Sequence, residues 1–324
     1  PPPGARADHP RVLRDAMTTD HRTTIASAVR AAVEEPAFTT ALHGDPVDRI
    51  DYLVHLARTG SVSIARLVEA HLDAVLILDE AGLAPQADAL YGVWASRGGV
   101  ERHDGRLSGP KPFCSGLGVV DRALVSGTDP GGGPQLLLDV AVDAQQDGVE
   151  HVHGPWATDA LADTATGTCR FLAHPVDTVV GEPGWYLSRP GFWSGALRPA
   201  ACWAGAALGL VDDAVAMGED AGPHRLAHIG ALHAAGEAMT AVLHRAAQHR
   251  GGPGQLEALA ARHTVERQAA EVLDRIGRAF GPRPYVGDAA FAQRAADLHL
   301  YLRQDHAEGD LEAVGRAVVA TAGR

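Results

Sequence analysis

The sequence predicts an α+β chain, mostly α, in the order helices, small sheet, helical bundle. Three observations predict it. Apolar residues recur at helical spacing up to about residue 87. Short apolar runs separated by Gly, Pro and Asp fill residues 88–187. Ala-rich stretches with helical periodicity occupy 188–324. With 324 residues the chain exceeds the usual single-domain size, so separately packed units are expected.

Residues 1–21 are rich in Pro, Gly and Arg around Met17 and lack the apolar core of a signal peptide, so they read as a disordered leader. Residues 22–87 form the first helical unit. In "DRIDYLVHLARTG", Ile50, Leu53, Val54 and Leu56 share one stripe, and Gly60 suits a C-terminal cap. "SVSIARLVEAHLDAVLILDEAG" opens with a Ser N-cap, is apolar on most sides near "AVLIL" and ends in Gly82, which predicts a buried helix. Next, "ALYGVWAS", "RLSGPKPFCSG", "DRALVSG", "QLLLDVAV" and "TCRFLAHP" predict an antiparallel sheet or small barrel. "TDPGGGPQ" reads as a hairpin loop. It lacks the Lys-Ser/Thr of a phosphate loop, and no G-x-G-x-x-G leads from a strand into a helix. In the last unit, the small residues of "GALRPAACWAGAALGLVDDAV" permit close helix approach. "HRLAHIGALHAAGEAMTAVLHRAAQHR", a "GGPG" break and "QLEALAARHTVERQAAEVLDRIGRAF" continue the bundle, and "AAFAQRAADLHLYLRQDHAEGDLEAVGRAVVATAG" closes it as a last helical stretch.

A formal net charge of −12 argues against nucleic-acid and anionic-membrane partners, which need a basic face. No uninterrupted apolar run reaches the ~18 residues of a membrane span. Three separated cysteines without a C-x-x-C pair fit a reducing cytoplasm. Seventeen histidines raise the question of a metal. His224 and His228 have ligand spacing on a helix but no clear third ligand, so no metal is expected. "FCSGLG" sits between strands, which argues against a nucleophile elbow.

Within the strand-like region, Phe113-Cys114-Ser115-Gly116 places an aromatic, a thiol and a hydroxyl where a structural strand would continue its apolar alternation. This stretch, the segment "VGEPGWYLSRPGFWSGALRPAACWAGAALGLVDDAV" and the closing "RIGRAFGPRPYVGDAAFAQRAADLHLYLRQDHAEGDLEAVGRA" together resemble the acyl-CoA dehydrogenase superfamily of flavoproteins, over roughly residues 45–320. The resemblance implies an N-terminal helical domain, a middle β-domain and a C-terminal four-helix bundle, with FAD held between the last two. It implies Phe113 beside the flavin ring, Ser115 near its N5, Val93 and Trp94 at the pyrimidine end, and Arg198 near the ligand cavity. Cys114 lies within the cofactor stretch as a small apolar filler, since no cation adjoins it in sequence to activate a thiol. Arg225, Gly277 and Gly281 are the nearest equivalents of the residues that hold the rest of FAD, and Leu302 adjoins the ring. The resemblance further implies a homodimer or homotetramer assembled through the bundle, a small-molecule or acyl-thioester substrate and an electron-transfer partner.

The pattern departs from the family where its catalytic glutamate is expected. Arg303, or within a residue Leu302 or Gln304, stands there, and Asp305 lies about 200° around a helix from Arg303. Arg303, Asp305 and His306 are therefore the catalytic candidates, with His299 sharing a helical face with His306, and Glu237, Glu266 and Glu271 left unplaced. The N-terminal unit is short, which suits a substrate other than a fatty acyl thioester. Three functions follow: hydride transfer from an acyl thioester to flavin, oxygenation by a flavin monooxygenase on the same scaffold, or a cofactor-free scaffold that has lost the chemistry.

Overall fold

A computed structural model describes residues 18–322 apart from 144 and 155. Most of the expected leader lies outside the described residues, and its last three residues belong to the first helix, α1 (Thr19–Glu34). Three further helices follow: α2 (Pro36–His43), α3 (Pro46–Thr59) and α4 (Val62–Glu80). Their ends follow local rules. Asp45 and Asp48 form a reciprocal capping box at α3, and Ser61 accepts from the Ile64 N–H at α4. Buried residues appear on every side of α4, which is therefore a central element and not a surface helix.

Two four-stranded sheets come next. One has the order β1-β4-β5-β8, from β1 (Tyr91–Trp94), β4 (Arg122–Gly127), β5 (Leu136–Ala141) and β8 (Thr178–Val179). The other has the order β2-β3-β7-β6, from β2 (Glu101–His103), β3 (Arg106–Cys114), β7 (Gly167–Pro175) and β6 (Val149–Val152). The pairings are antiparallel with one correction: β1 runs parallel to β4, Tyr91 opposite Arg122. The β2–β3 hairpin lies between them in sequence and serves as the crossover that a parallel pair requires. "TDPGGGPQ" links the antiparallel pair β4 and β5, as expected of a hairpin loop.

The chain then turns through α5 (Trp185–Ser188) into α6 (Phe192–Ala216), α7 (Pro223–Ala247), α8 (Gln255–Phe280), α9 (Arg283–Gly287), α10 (Ala289–Tyr301) and α11 (Glu308–Ala322). The small residues of α6 act as expected. A Cβ on Gly205 would come within 2.3 Å of the Val54 carbonyl oxygen, and one on Gly209 within 2.7 Å of that of Arg58. Only hydrogen fits between α3 and α6 at these points.

The closing segment is not continuous. It breaks after Tyr301 into a short 3-10 turn, Leu302–Gln304, and α11 resumes beyond Ala307, whose φ is +47°. Tyr301 and Leu302 are buried on one side of the break, and Asp297 one turn earlier is also buried. Tertiary anchoring of these residues overrides the helical periodicity and brings Arg303, Gln304 and His306 to the cavity that the sheets border. No described helix is long and apolar enough to cross a membrane.

Candidate functional site

A cavity of about 700 Å³ lies where the β-domain, α4, α6 and the α10–α11 turn converge. Its β-side wall consists of Val93 in β1, Ala95 and Ser96 just after it, Phe113 and Ser115 at the end of β3, and Thr164 and Thr166 ahead of β7. The facing wall takes Arg66, Glu69 and Asp73 from α4, Tyr186 and Arg189 near α5, Phe192 and Pro199 from α6, and Leu300, Arg303, Gln304 and His306 from the closing turn.

The β-side wall is shaped by a bulge. The β3–β7 register slips between Lys111 and Cys114, and Phe113 takes φ +59°. The extra residue turns the Phe113 ring off the pleat, leaving it 74% exposed on the cavity. Cys114 points the other way, fully buried, and burial pushes its thiol up to about 12. It is a filler residue and not part of the lining. Trp94 is also core, with its Nε1–H donating to the Ser115 carbonyl at 2.9 Å. The Trp94 side chain thus holds Ser115 in place and does not line the cavity itself. Lys111 is 1% exposed and its Nζ donates to the Ser96 carbonyl, the Ser126 carbonyl and the Ser126 hydroxyl at 2.6–2.7 Å. Burial pulls its ammonium down to about 8. This cation ties β1, β3 and β4 together behind the cavity wall.

The helical wall is ionic. Arg66 and Glu69 pair at 2.6 Å, and burial pushes the Glu69 carboxyl above its ordinary range, opposed by the Arg66 charge. Asp73 receives Arg198 and, at 3.6 Å, Arg189, whose other end meets Glu80 at 2.6 Å. Gly195 leaves room for this network: a Cβ there would sit 3.2 Å from Arg189, Arg198 and Asp73 atoms. Arg198, expected at the ligand, is thus the buried counter-ion of Asp73 and lies off the main cavity.

Of the remaining sequence-predicted residues, Arg303 and His306 reach the cavity. Arg303 lies 3.4 Å from Glu266, and His306 lies 3.5 Å from Asp310. Leu302 is buried beneath the turn, and the Asp305 side chain, 3% exposed, faces His263 at 3.6 Å. Arg225 stacks on Phe280 at 5.2 Å away from the cavity, and Gly277 sits at the same end of α8 with Tyr285. Of the glutamates left unplaced, Glu237 is exposed on α7 and Glu271 pairs with Arg275 along α8. His263, Glu266 and Asp305 converge within 4.8 Å, as metal ligands do. Guanidinium groups of Arg303 and Arg267 lie 3.4 and 3.8 Å from Glu266 and already compensate its charge.

Sequence reasoning missed Arg66, Glu69, Asp73, Arg189 and the two threonines. A signal existed for the first three: charges at 66, 69 and 73 keep helical spacing inside a stretch otherwise apolar on most sides.

No protein-family model and no curated protein matches the sequence. Solved structures do match by shape. Dibenzothiophene monooxygenase TdsC from Paenibacillus sp. A11-2 superposes with a TM-score of 0.75 at 18% identity, over 94% of this chain and 97% of that one. Methanesulfinate monooxygenase MsuC from Pseudomonas fluorescens gives 0.72 at 18% identity, over 94% and 97%. Butyryl-CoA dehydrogenase from Megasphaera elsdenii gives 0.72 at 16% identity, over 92% and 89%. The chain has the acyl-CoA dehydrogenase fold, the scaffold shared by these dehydrogenases and monooxygenases.

Proposed function

We propose that this protein is a flavin-dependent oxidoreductase that oxygenates a compact polar substrate and does not desaturate acyl thioesters. One observation carries the reading. Among the described residues, the carboxylates on the cavity, Glu69 and Asp73, are each held by a guanidinium group, and the closing turn offers Arg303, Gln304 and a buried Leu302 where a base would stand. Removal of an α-proton needs a carboxylate within reach of it. A long acyl tail needs apolar lining, whereas the helical wall here buries charged side chains on the cavity: Glu69 at 3% and Arg189 at 4% exposure.

The cavity suits a flavin. Its volume of about 700 Å³ falls within the roughly 300–1,000 Å³ of small-molecule and cofactor sites. Phe113 offers an uncovered aromatic face, and Ser115 beside it offers a fixed hydroxyl. A bound flavin supplies two-electron chemistry and, once reduced, the means to use O₂. The chain supplies the walls, the orientation and, through His306 on the rim, an imidazole able to take or give a proton. Arg225 and Gly277 lie away from the cavity, which favours the mononucleotide, FMN, over FAD within one chain. Contacts with a second copy of the chain fit the exposure of Leu226 on α7 and of Val318 and Val319 on α11.

The test is spectroscopic and isotopic. The purified protein is loaded with FMN or FAD and titrated anaerobically with butyryl-CoA. Reduced flavin is then supplied with ¹⁸O₂ and a probe set that includes indole and methanesulfinate. Expected are flavin binding, an unbleached flavin band with the thioester and ¹⁸O in a probe. Bleaching by butyryl-CoA would overturn the oxygenase reading.

A further inference from the structure

Three hydroxyls on the β-side wall form a chain. Ser115 Oγ lies 3.0 Å from Thr166 Oγ1, Thr166 Oγ1 lies 2.8 Å from Thr164 Oγ1, and Thr164 Oγ1 lies 2.7 Å from the Leu161 carbonyl oxygen. Each distance is that of an O–H···O hydrogen bond. A hydroxyl has one proton to give, and a carbonyl has none. Thr164 therefore donates to Leu161, Thr166 donates to Thr164, and Ser115 donates to Thr166. All three protons are committed, and Ser115 has only lone pairs left for the cavity.

The chain is anchored at both ends. The Ser115 carbonyl accepts from Trp94, and the next N–H, of Gly116, donates to the Thr164 carbonyl at 2.7 Å. At the other end, the Leu161 N–H donates to the buried Asp297 carboxylate at 2.6 Å. Leu161 and Ala165 flank the turn with φ of +52° and +48°. Left-handed backbone at non-glycine residues persists where surrounding contacts over-determine it, and such strain clusters at functional sites.

We propose that Thr164 and Thr166 are positioning residues that fix Ser115 as a pure acceptor, so that the cavity selects a ligand presenting an N–H or O–H donor at that point. Resting on the flavin reading above, this discriminates between redox states of the cofactor. Two-electron reduction protonates ring nitrogen N5, turning it from an acceptor into an N–H donor. With N5 held against Ser115, as the family resemblance implies, Ser115 would meet the reduced form with a hydrogen bond and the oxidised form with facing lone pairs.

Dissociation constants of oxidised and anaerobically reduced FMN and FAD, measured by calorimetry, test this in the parent and in three variants. Thr166→Val removes the acceptor of the Ser115 proton. Thr164→Val frees the Thr166 proton to turn back onto Ser115. In either case Ser115 regains a proton for the cavity. The ratio of oxidised to reduced dissociation constants is expected to fall about tenfold, the worth of one such hydrogen bond. Thr166→Ser, which keeps the hydroxyl, is expected to retain the parent ratio and separates polarity from packing. Flavin binding with the same ratio in parent and valine variants overturns the relay and leaves the flavin reading standing. Loss of binding of both redox forms by the parent overturns both.

Discussion

The two walls of the cavity use opposite chemistry. The β-side wall is neutral, built from an exposed aromatic ring and from hydroxyls that hydrogen bonds hold in place. The helical wall is charged: Arg66 pairs with Glu69 within one turn of α4, while Arg198 reaches Asp73 and Arg189 reaches Glu80 across more than a hundred residues. A neutral wall keeps its shape when one bond is lost. A buried ionic wall does not, because removing one partner strands a charge in a medium of low dielectric. Orientation is thus assigned to one side and structural dependence to the other.

The largest test of this contrast is Asp73→Ala. It leaves the Arg198 and Arg189 side chains, 6% and 2% exposed, without their shared carboxylate. Urea titration is expected to show a loss of about 3–5 kcal/mol. A loss below about 1 kcal/mol would mean that the helical wall is as tolerant as the other. Lys111→Met comes next. It orphans three buried acceptors behind the β-side wall at an expected ~2–3 kcal/mol.

Asp297, where the two walls meet, gives the contrast a pH signature. Burial pushes its carboxyl up to about 6 from 3.8, although the Leu161 N–H and Gln293 oppose this. The folded state therefore holds the proton more tightly than the unfolded state. Its contribution is greatest below pH 4 and is lost as pH rises through about 6, by an amount on the order of 3 kcal/mol. His71 acts with the opposite sign. Burial pulls it down to about 4, so its protonation erodes stability as pH falls below about 6. Subtracting the stability curve of Asp297→Asn from that of the parent isolates the Asp297 part. The difference is expected to change between pH 4 and 6 and to be flat above. Smallest is Trp94→Phe, which deletes one bond to the Ser115 carbonyl at about 1 kcal/mol. Its main effect is expected in the flavin spectrum, and an unchanged spectrum in flavin-loaded protein would detach Trp94 from the site.

Legibility in the sequence followed the range of the interaction. The capped helices α3 and α4, the Gly-Pro loop and the interrupted strand at Phe113 are local features, and each was readable from neighbouring residues. Cys114 was likewise readable as a filler, whereas the burial of the Trp94 side chain behind Ser115 was not, because strand alternation does not say which residues the tertiary fold covers. The resemblance put Arg198 near the ligand cavity, and its counter-ion, 125 positions away, was not legible from neighbouring residues. Glu69 and Asp73 passed as ordinary charges on a helix whose burial was foreseen without its consequences.

The sequence alone determined the order of helical, strand and helical segments, the small residues that let another helix approach α6 closely, and the odd composition at 113–116. Periodicity and the absence of side chains are properties of short stretches, and they persist whatever the rest of the chain does. Tertiary structure alone decided where the closing helices break, which carboxylates meet guanidinium groups, and which way the proton on Ser115 points. Each of these depends on groups that folding brings together from distant parts of the chain. A hydroxyl or a carboxylate has no fixed role until its partners are known.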